Sequence, residues 1–264
     1  MKDLFSIKDK VALVTGGSRG IGEMIAAGFL TSGAKVYISS RKAEVCDSTA
    51  TRLSKEFGGE CISIPSDLST LDGVESLANT ISSEESKLDI LINNAGASWG
   101  APIDEYPESG WDKVMDTNVK GVFFLIQKLL PVLRKATSSD DPSRVVNIGS
   151  VDGIKTGGFD AFAYGPSKAA LHHLTRILAA SLIKEKIIVN AIAPGPFPTW
   201  MLSTGVGFGG ETDVDWSVVG DQNPSGRVGN MQDIAGLAIF LCSRASAYTV
   251  GQTITCDGGA VASS

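Results

Sequence analysis

Tyr164 and Lys168, in the run Ala163-Tyr164-Gly165-Pro166-Ser167-Lys168-Ala169-Ala170, are the residues whose types and spacing speak most directly of chemistry. On a helix, a separation of four places both side chains on one face, one turn apart. A unit positive charge ~4 Å away, at an effective dielectric of about 20, is worth roughly 4 kcal/mol. At about 1.36 kcal/mol per pKa unit, such an ammonium would draw a phenol from ~10 toward ~7 before burial opposes it. A tyrosine poised there gives a proton to a carbonyl oxygen, or takes one from an alcohol, near neutral pH. The same pair on an arbitrary helix is an accident of spacing, so the reading depends on what else the chain carries.

The run Val11-Ala12-Leu13-Val14-Thr15-Gly16-Gly17-Ser18-Arg19-Gly20-Ile21-Gly22 reads as a short apolar strand, a glycine-rich turn and the start of a helix with apolar residues at 21, 25, 29 and 30. Gly16, Gly20 and Gly22 let the backbone turn tightly and approach a pyrophosphate seated on the helix N-terminus, with Ser18, Arg19 and Ile21 in the same loop. The spacing is G-x-x-x-G-x-G rather than G-x-G-x-x-G, and a tight strand-to-helix turn with no ligand is the other way to read it. The second strand candidate ends Ser39-Ser40-Arg41-Lys42, with two bases and no acid to bind a ribose 2′-hydroxyl. A guanidinium matches phosphate geometry in a fork, so Arg41, with Arg19, predicts NADPH over NADH. The alternative is a pair of solvated charges at a helix start.

Strand-like runs at 11–14, 35–39, 61–64, 90–93, 144–148, 187–192 and 253–255 alternate with helical spacing, as at 71–84, 111–134 and 164–182. That alternation predicts an α/β fold, a single Rossmann-type doubly wound domain over 1–264, with a seven-stranded parallel sheet and helices on both faces. Ser150 then lies at the carboxyl end of the fifth strand, where ligands bind in such sheets, although a strand-end serine also caps loops. Asn118 interrupts an otherwise apolar helix and can divert its backbone. Between 194 and 228 the chain carries four prolines and seven glycines together with Trp200, Met201, Leu202, Phe208 and Trp216. Such a stretch reads as a substrate lid at about 196–228, or else as a satellite apolar cluster.

Thr15-Gly16-x-x-x-Gly20-x-Gly22, Asn93-Asn94-Ala95-Gly96, Asn118, Ser150, Tyr164-x-x-x-Lys168 and Pro194-Gly195 occur in the order and approximate spacing of the short-chain dehydrogenase/reductase family, which the chain resembles from about residue 10 to 259. Ser98-Trp99-Gly100-Ala101, Asn147-Ile148-Gly149-Ser150-Val151 and the segment from Ala163 to His172 further resemble the NADPH-dependent β-ketoacyl reductases of rhamnolipid synthesis. The resemblance implies a catalytic set of Asn118, Ser150, Tyr164 and Lys168. Lys168 would also bond the nicotinamide ribose, and Asn118 would link it to solvent through water. It further implies that Asn94, Ala95 and Gly96 brace the sheet beside the adenine ribose, and that Asp67 and Leu68 meet the adenine, although Asp67 could equally be a helix N-cap. Pro194 and Gly195 would turn beside the nicotinamide, with Phe197 and Thr199 following. The implied reaction is NADPH-dependent hydride transfer to a ketone, with a β-ketoacyl thioester as the leading substrate and a small ketone, polyketide, quinone or sugar as the alternative. A catalytically silent NADP-sensing protein is the reading from another class.

A net charge of −6 argues against a general nucleic-acid binder. Cys46, Cys61, Cys242 and Cys256 have no C-x-x-C spacing, which fits reduced thiols in the cytoplasm and predicts no metal site. His172 and His173 are adjacent and read as partly exposed helix residues. No apolar stretch approaches the ~20 residues of a membrane span. The helical segments at 111–134 and 164–182 carry more apolar residues than one sheet face needs. They predict a homotetramer or dimer, helices that pair across subunits in the resembled family.

Overall fold

The structure is a computed structural model that describes residues 3–138, 140–157, 160–203 and 214–263. Seven short, near-continuous apolar runs form its sheet: β1 (Val11–Thr15), β2 (Lys35–Ser39), β3 (Cys61–Ser63), β4 (Ile90–Asn93), β5 (Ser143–Ile148), β6 (Ile187–Pro194) and β7 (Thr253–Cys256). Every pairing is parallel and the order is β3-β2-β1-β4-β5-β6-β7. Parallel strands need crossovers that cover both faces, which is why β1, β4, β5 and β6 are buried along their whole length.

The period of two along each strand divides the core. Val14 and Ile92 pack on one face with Ile25 and Phe29 of α1 (Gly20–Thr31), Leu53 of α2 (Ala43–Phe57), and Ile234 and Ala238 of α8 (Met231–Cys242). Leu13 and Leu91 pack on the other with Leu77 of α3 (Leu71–Glu84), Leu125 of α5 (Gly121–Ala136) and Leu171 of α6 (Tyr164–Leu182). The expected helix over 111–134 is instead α4 (Glu108–Met115) and α5, joined by a π-turn over Asp116–Lys120. A last short helix, α7 (Trp216–Asp221), follows the undescribed part of the 196–228 segment. None of the described helices is long and apolar enough to cross a membrane.

Strand order reverses between β1 and β4. Carboxyl ends of parallel strands share one edge, and a cleft opens there at such a switch point. The glycine turn leaves β1, Asn94 leaves β4, Gly149 and Ser150 leave β5, and Gly195 leaves β6 along this edge.

Candidate active site

β5 ends at Ile148, and the chain passes through Gly149 and Ser150 into a 3-10 turn at Val151–Gly153. The Ser150 hydroxyl accepts the Asp152 N–H at 3.1 Å and hydrogen-bonds the Tyr164 phenol. Tyr164 opens α6, and Lys168 follows one turn later. Lys168 is buried, donates to the Ile148 carbonyl at 2.8 Å and lies 5.6 Å from the centre of the Tyr164 ring. The three predicted side chains therefore converge.

Their charges do not follow the expectation. Burial pushes the Tyr164 phenol up to about 12, Ser150 opposing and Asp152 reinforcing the rise. Burial also lowers the Lys168 ammonium to about 8. The phenol drawn toward neutrality is thus corrected: desolvation outweighs the pair, and the ammonium is tied to a carbonyl beneath the ring rather than to the phenol oxygen.

Asn118 lies at the centre of the π-turn, fully buried. Its Oδ1 accepts the Ala97 N–H at 2.8 Å, while Nδ2 donates to the Ala97 carbonyl and to Ser167 Oγ, each at 2.9 Å. The helix widens because this side chain is committed to a neighbouring loop. Across the helix, Gly121 lies where a Cβ would come within 2.3 Å of the Leu68 carbonyl. Asn118 meets Lys168 only across Gly96, where a Cβ would lie 3.4 Å from Asn118 Oδ1 and 3.7 Å from Lys168 Nζ.

At the other end of the cleft, Asn94 Nδ2 donates to the carbonyls of Thr15 and Gly16, and Thr15 Oγ1 accepts the N–H groups of Asn94 and Ala95. Gly16 and Gly20 have positive φ, and a Cβ on Gly22 would come within 2.4 Å of Asn94 Nδ2. Thr199 covers this loop: a Cβ on Gly20 would lie 3.1 Å from its methyl group. Arg19 precedes α1, and burial together with the nearby Arg41 guanidinium lowers its pKa. No carboxylate pairs with either arginine among the described residues. A glycine cradle at a helix N-terminus beside two converging, acid-free guanidiniums fits a phosphorylated dinucleotide.

The remaining predicted residues divide. Ser18 is buried in the loop, and its carbonyl accepts from Thr49. Ile21 packs on the core. Asp67 is exposed and binds Ser69, while Thr70 caps α3, so Asp67 is not the helix cap. Leu68 and Phe197 are core side chains, Phe197 lying where a Cβ on Gly229 would come within 2.3 Å. Only their backbone is left for a ligand. Gly195 follows Pro194 and donates to the Cys256 carbonyl at 3.0 Å. Trp200 lies against Arg19, 4.4 Å from ring centre to guanidinium, whereas Phe208 lies outside the described residues. One expectation about α6 is wrong: His172 is buried, and only His173 is exposed.

Comparison with known proteins agrees with this architecture. A family described as enoyl-(acyl carrier protein) reductase matches residues 16–261. The rhamnolipids biosynthesis 3-oxoacyl-[acyl-carrier-protein] reductase of Pseudomonas aeruginosa is 51% identical over 259 residues, 98% of this chain and 99% of that protein. The gluconate 5-dehydrogenase of Gluconobacter oxydans is 35% identical, covering 97% of this chain and 96% of its own. Among solved structures, the Pseudomonas aeruginosa RhlG/NADP active-site complex superposes with a TM-score of 0.91 at 50% identity, over 99% of this chain and 100% of that one. The L-sorbose reductase of Gluconobacter frateurii, complexed with NADPH and L-sorbose, gives 0.87 at 29% identity over 98% of each chain.

Proposed function

The chain belongs to the short-chain dehydrogenase/reductase family, and on that premise we propose that it is an NADPH-dependent carbonyl reductase converting a 3-oxoacyl thioester to its 3-hydroxyacyl product. The observation that carries this reading is the convergence of Tyr164 and Lys168 of α6 on the strand end that bears Ser150, on the same sheet edge as a glycine cradle flanked by two guanidiniums.

NADPH, when bound, supplies the hydride. The backbone of Gly16, Ser18, Gly20, Ile21 and Gly22 would hold its pyrophosphate, and Arg19 and Arg41 its 2′-phosphate. Asp67 and the Leu68 backbone would meet the adenine, and Asn94, Ala95 and Gly96 the adjoining ribose. Pro194, Gly195, the Phe197 backbone and Thr199 would meet the nicotinamide end, with Tyr164 and Lys168 on its ribose.

Ser150 orients the ketone oxygen. Tyr164 gives that oxygen its proton. A pKa near 12 keeps the phenol protonated at neutral pH, and a developing alkoxide is basic enough to take the proton. Lys168, whose ammonium is weakened by burial, returns a proton toward Tyr164, and Asn118 would link Lys168 to solvent through water.

The acyl thioester follows from the name of the Pseudomonas relative. Exposed Ile154 and Phe162 flank Ser150 and Tyr164 in the chain and offer apolar surface to an acyl tail. The relatives named for gluconate and L-sorbose support a second reading, a polar keto-sugar. NADPH oxidation with acyl-carrier, coenzyme-A, simple ketone and keto-sugar substrates separates the two. Turnover of the keto-sugars alone would discard the thioester.

The 196–228 segment serves as the lid, its Trp200 end resting on Arg19. The assembly is a cytoplasmic homotetramer or dimer that pairs through α5 and α6. Sedimentation showing only monomer at micromolar concentration would contradict that assembly.

A further inference from the structure

We propose that His172 is a positioning residue for the reduction: its imidazole clamps the turn that carries Ser150 and so fixes where the serine hydroxyl points. The inference rests on the carbonyl-reductase reading above.

Tyr164, Lys168 and His172 follow one another at intervals of four along α6, a single stripe facing the end of β5. Each makes a different contact there. The phenol bonds the Ser150 hydroxyl, and the ammonium bonds the Ile148 carbonyl at 2.8 Å. The imidazole Nε2 accepts the Ser150 backbone N–H at 3.4 Å, and the ring also bonds the backbone of Gly153. One side chain thus grips both ends of the 150–153 turn.

The neighbouring glycines are shaped to that ring. A Cβ on Gly149 would lie 2.0 Å from Nε2, and one on Gly153 would lie 2.8 Å from Cε1. Neither glycine has a positive φ, so the missing side chain serves no special backbone conformation: at Gly149 it makes room for the imidazole, and at Gly153 for the imidazole together with the α6 backbone at Lys168 and Ala169.

The hydrogen bonds require one protonation state. An Nε2 that accepts leaves the ring proton on Nδ1, free to donate to the Gly153 carbonyl. A protonated ring would turn a donor against the Ser150 N–H. Burial, then Lys168 and Arg176, hold His172 down to about 4, which keeps it neutral. A residue that merely filled this space would leave the buried Ser150 N–H without a partner.

The test uses the full chain, with NADPH and whichever carbonyl the wild type reduces. His172→Leu should lower kcat by about tenfold or more, since small displacements of a reacting group are costly, and leave the NADPH Kd within about threefold. His172→Gln, which restores an acceptor, should recover part of the loss. In a Ser150→Ala background His172→Leu should cost less than about threefold, because the residue it acts through is gone. Unchanged kcat in folded His172→Leu, or an equal loss with and without Ser150, would overturn the proposal.

Imidazole ¹⁵N NMR of the wild type provides a readout independent of activity and of variant folding. The chain has two histidines, and a His173→Gln control assigns them. His172 should remain the neutral Nδ1–H tautomer from about pH 5 to 8; a charged ring or the Nε2–H tautomer refutes the clamp. A wild type that reduces no carbonyl would sink the reaction assignment, whereas these signals test the clamp alone.

Discussion

Lys168 sits buried against a backbone carbonyl with its pKa depressed to about 8, whereas Arg19 and Arg41, on the same sheet edge, lie exposed and near one another with no carboxylate between them among the described residues. The catalytic corner holds one buried ammonium among neutral hydroxyls, each group fixed by a hydrogen bond to backbone or to a neighbour. The phosphate corner leaves its charges unmatched. Proton transfer needs groups held at one place, each by a partner inside the protein. Anion recognition needs charge that the ligand itself completes.

The most severe break falls on the catalytic side. Tyr164→Phe removes the proton donor and keeps the ring, so carbonyl reduction should fall by about 10²–10⁴-fold with NADPH binding unchanged. Steady-state rates beside a binding titration check this, and a loss of only a few-fold would remove Tyr164 from its role.

Lys168 sharpens the contrast through stability. Folding lowers its pKa from 10.5 to about 8, so between those values the unfolded chain keeps a proton that the folded one has released. Stability should therefore rise with pH across that window, and below it the cost of burying the charge is fully present. The pH-dependent difference between wild type and Lys168→Met should amount to roughly 3 kcal/mol from pH ~7 to ~10.5. Chemical denaturation across that range measures it, and parallel curves for the two proteins would mean that the ammonium is not desolvated.

Arg41→Asp tests the other corner. It removes an attraction and adds a repulsion, so NADPH affinity should fall by at least about tenfold while NADH loses little. Arg19→Ala should act in the same sense but less. Equal weakening of both cofactors would make Arg41 a surface charge. Trp200→Ala should have the smallest effect. An exposed cation–π contact contributes about 0.5–1 kcal/mol, so NADPH binding should weaken by roughly two- to fivefold, and an unaltered Kd would detach Trp200 from the phosphate corner.

Much of the frame was legible because each strand is a short apolar run between turn residues. β2 and β4, and helices α3 and α6, have the bounds that the pattern predicts. The departure at 116–120 was half visible: Asn118 marks it, but the cause is the Ala97 backbone on another loop. Local spacing placed Tyr164 beside Lys168 and was silent on desolvation, which decides both pKa values. It also left open which of two adjacent histidines faces inward. Counting four onward from Lys168 would have found His172, had the stripe been extended one more turn. Leu68 and Phe197 sit in matching motifs, yet their side chains belong to the core, a distinction that only packing reveals.

The central claim is that a buried, fixed catalytic corner and an exposed, unpaired phosphate corner together make an NADPH-dependent carbonyl reductase. Consumption of NADPH against a 3-oxoacyl thioester, run in parallel with NADH and with Tyr164→Phe, tests it most directly. The account predicts turnover with NADPH, a clear preference over NADH, and near-complete loss in a variant that still binds NADPH. Tight NADPH binding with no carbonyl consumed by the wild type would contradict it and identify the protein as a nucleotide-binding sensor.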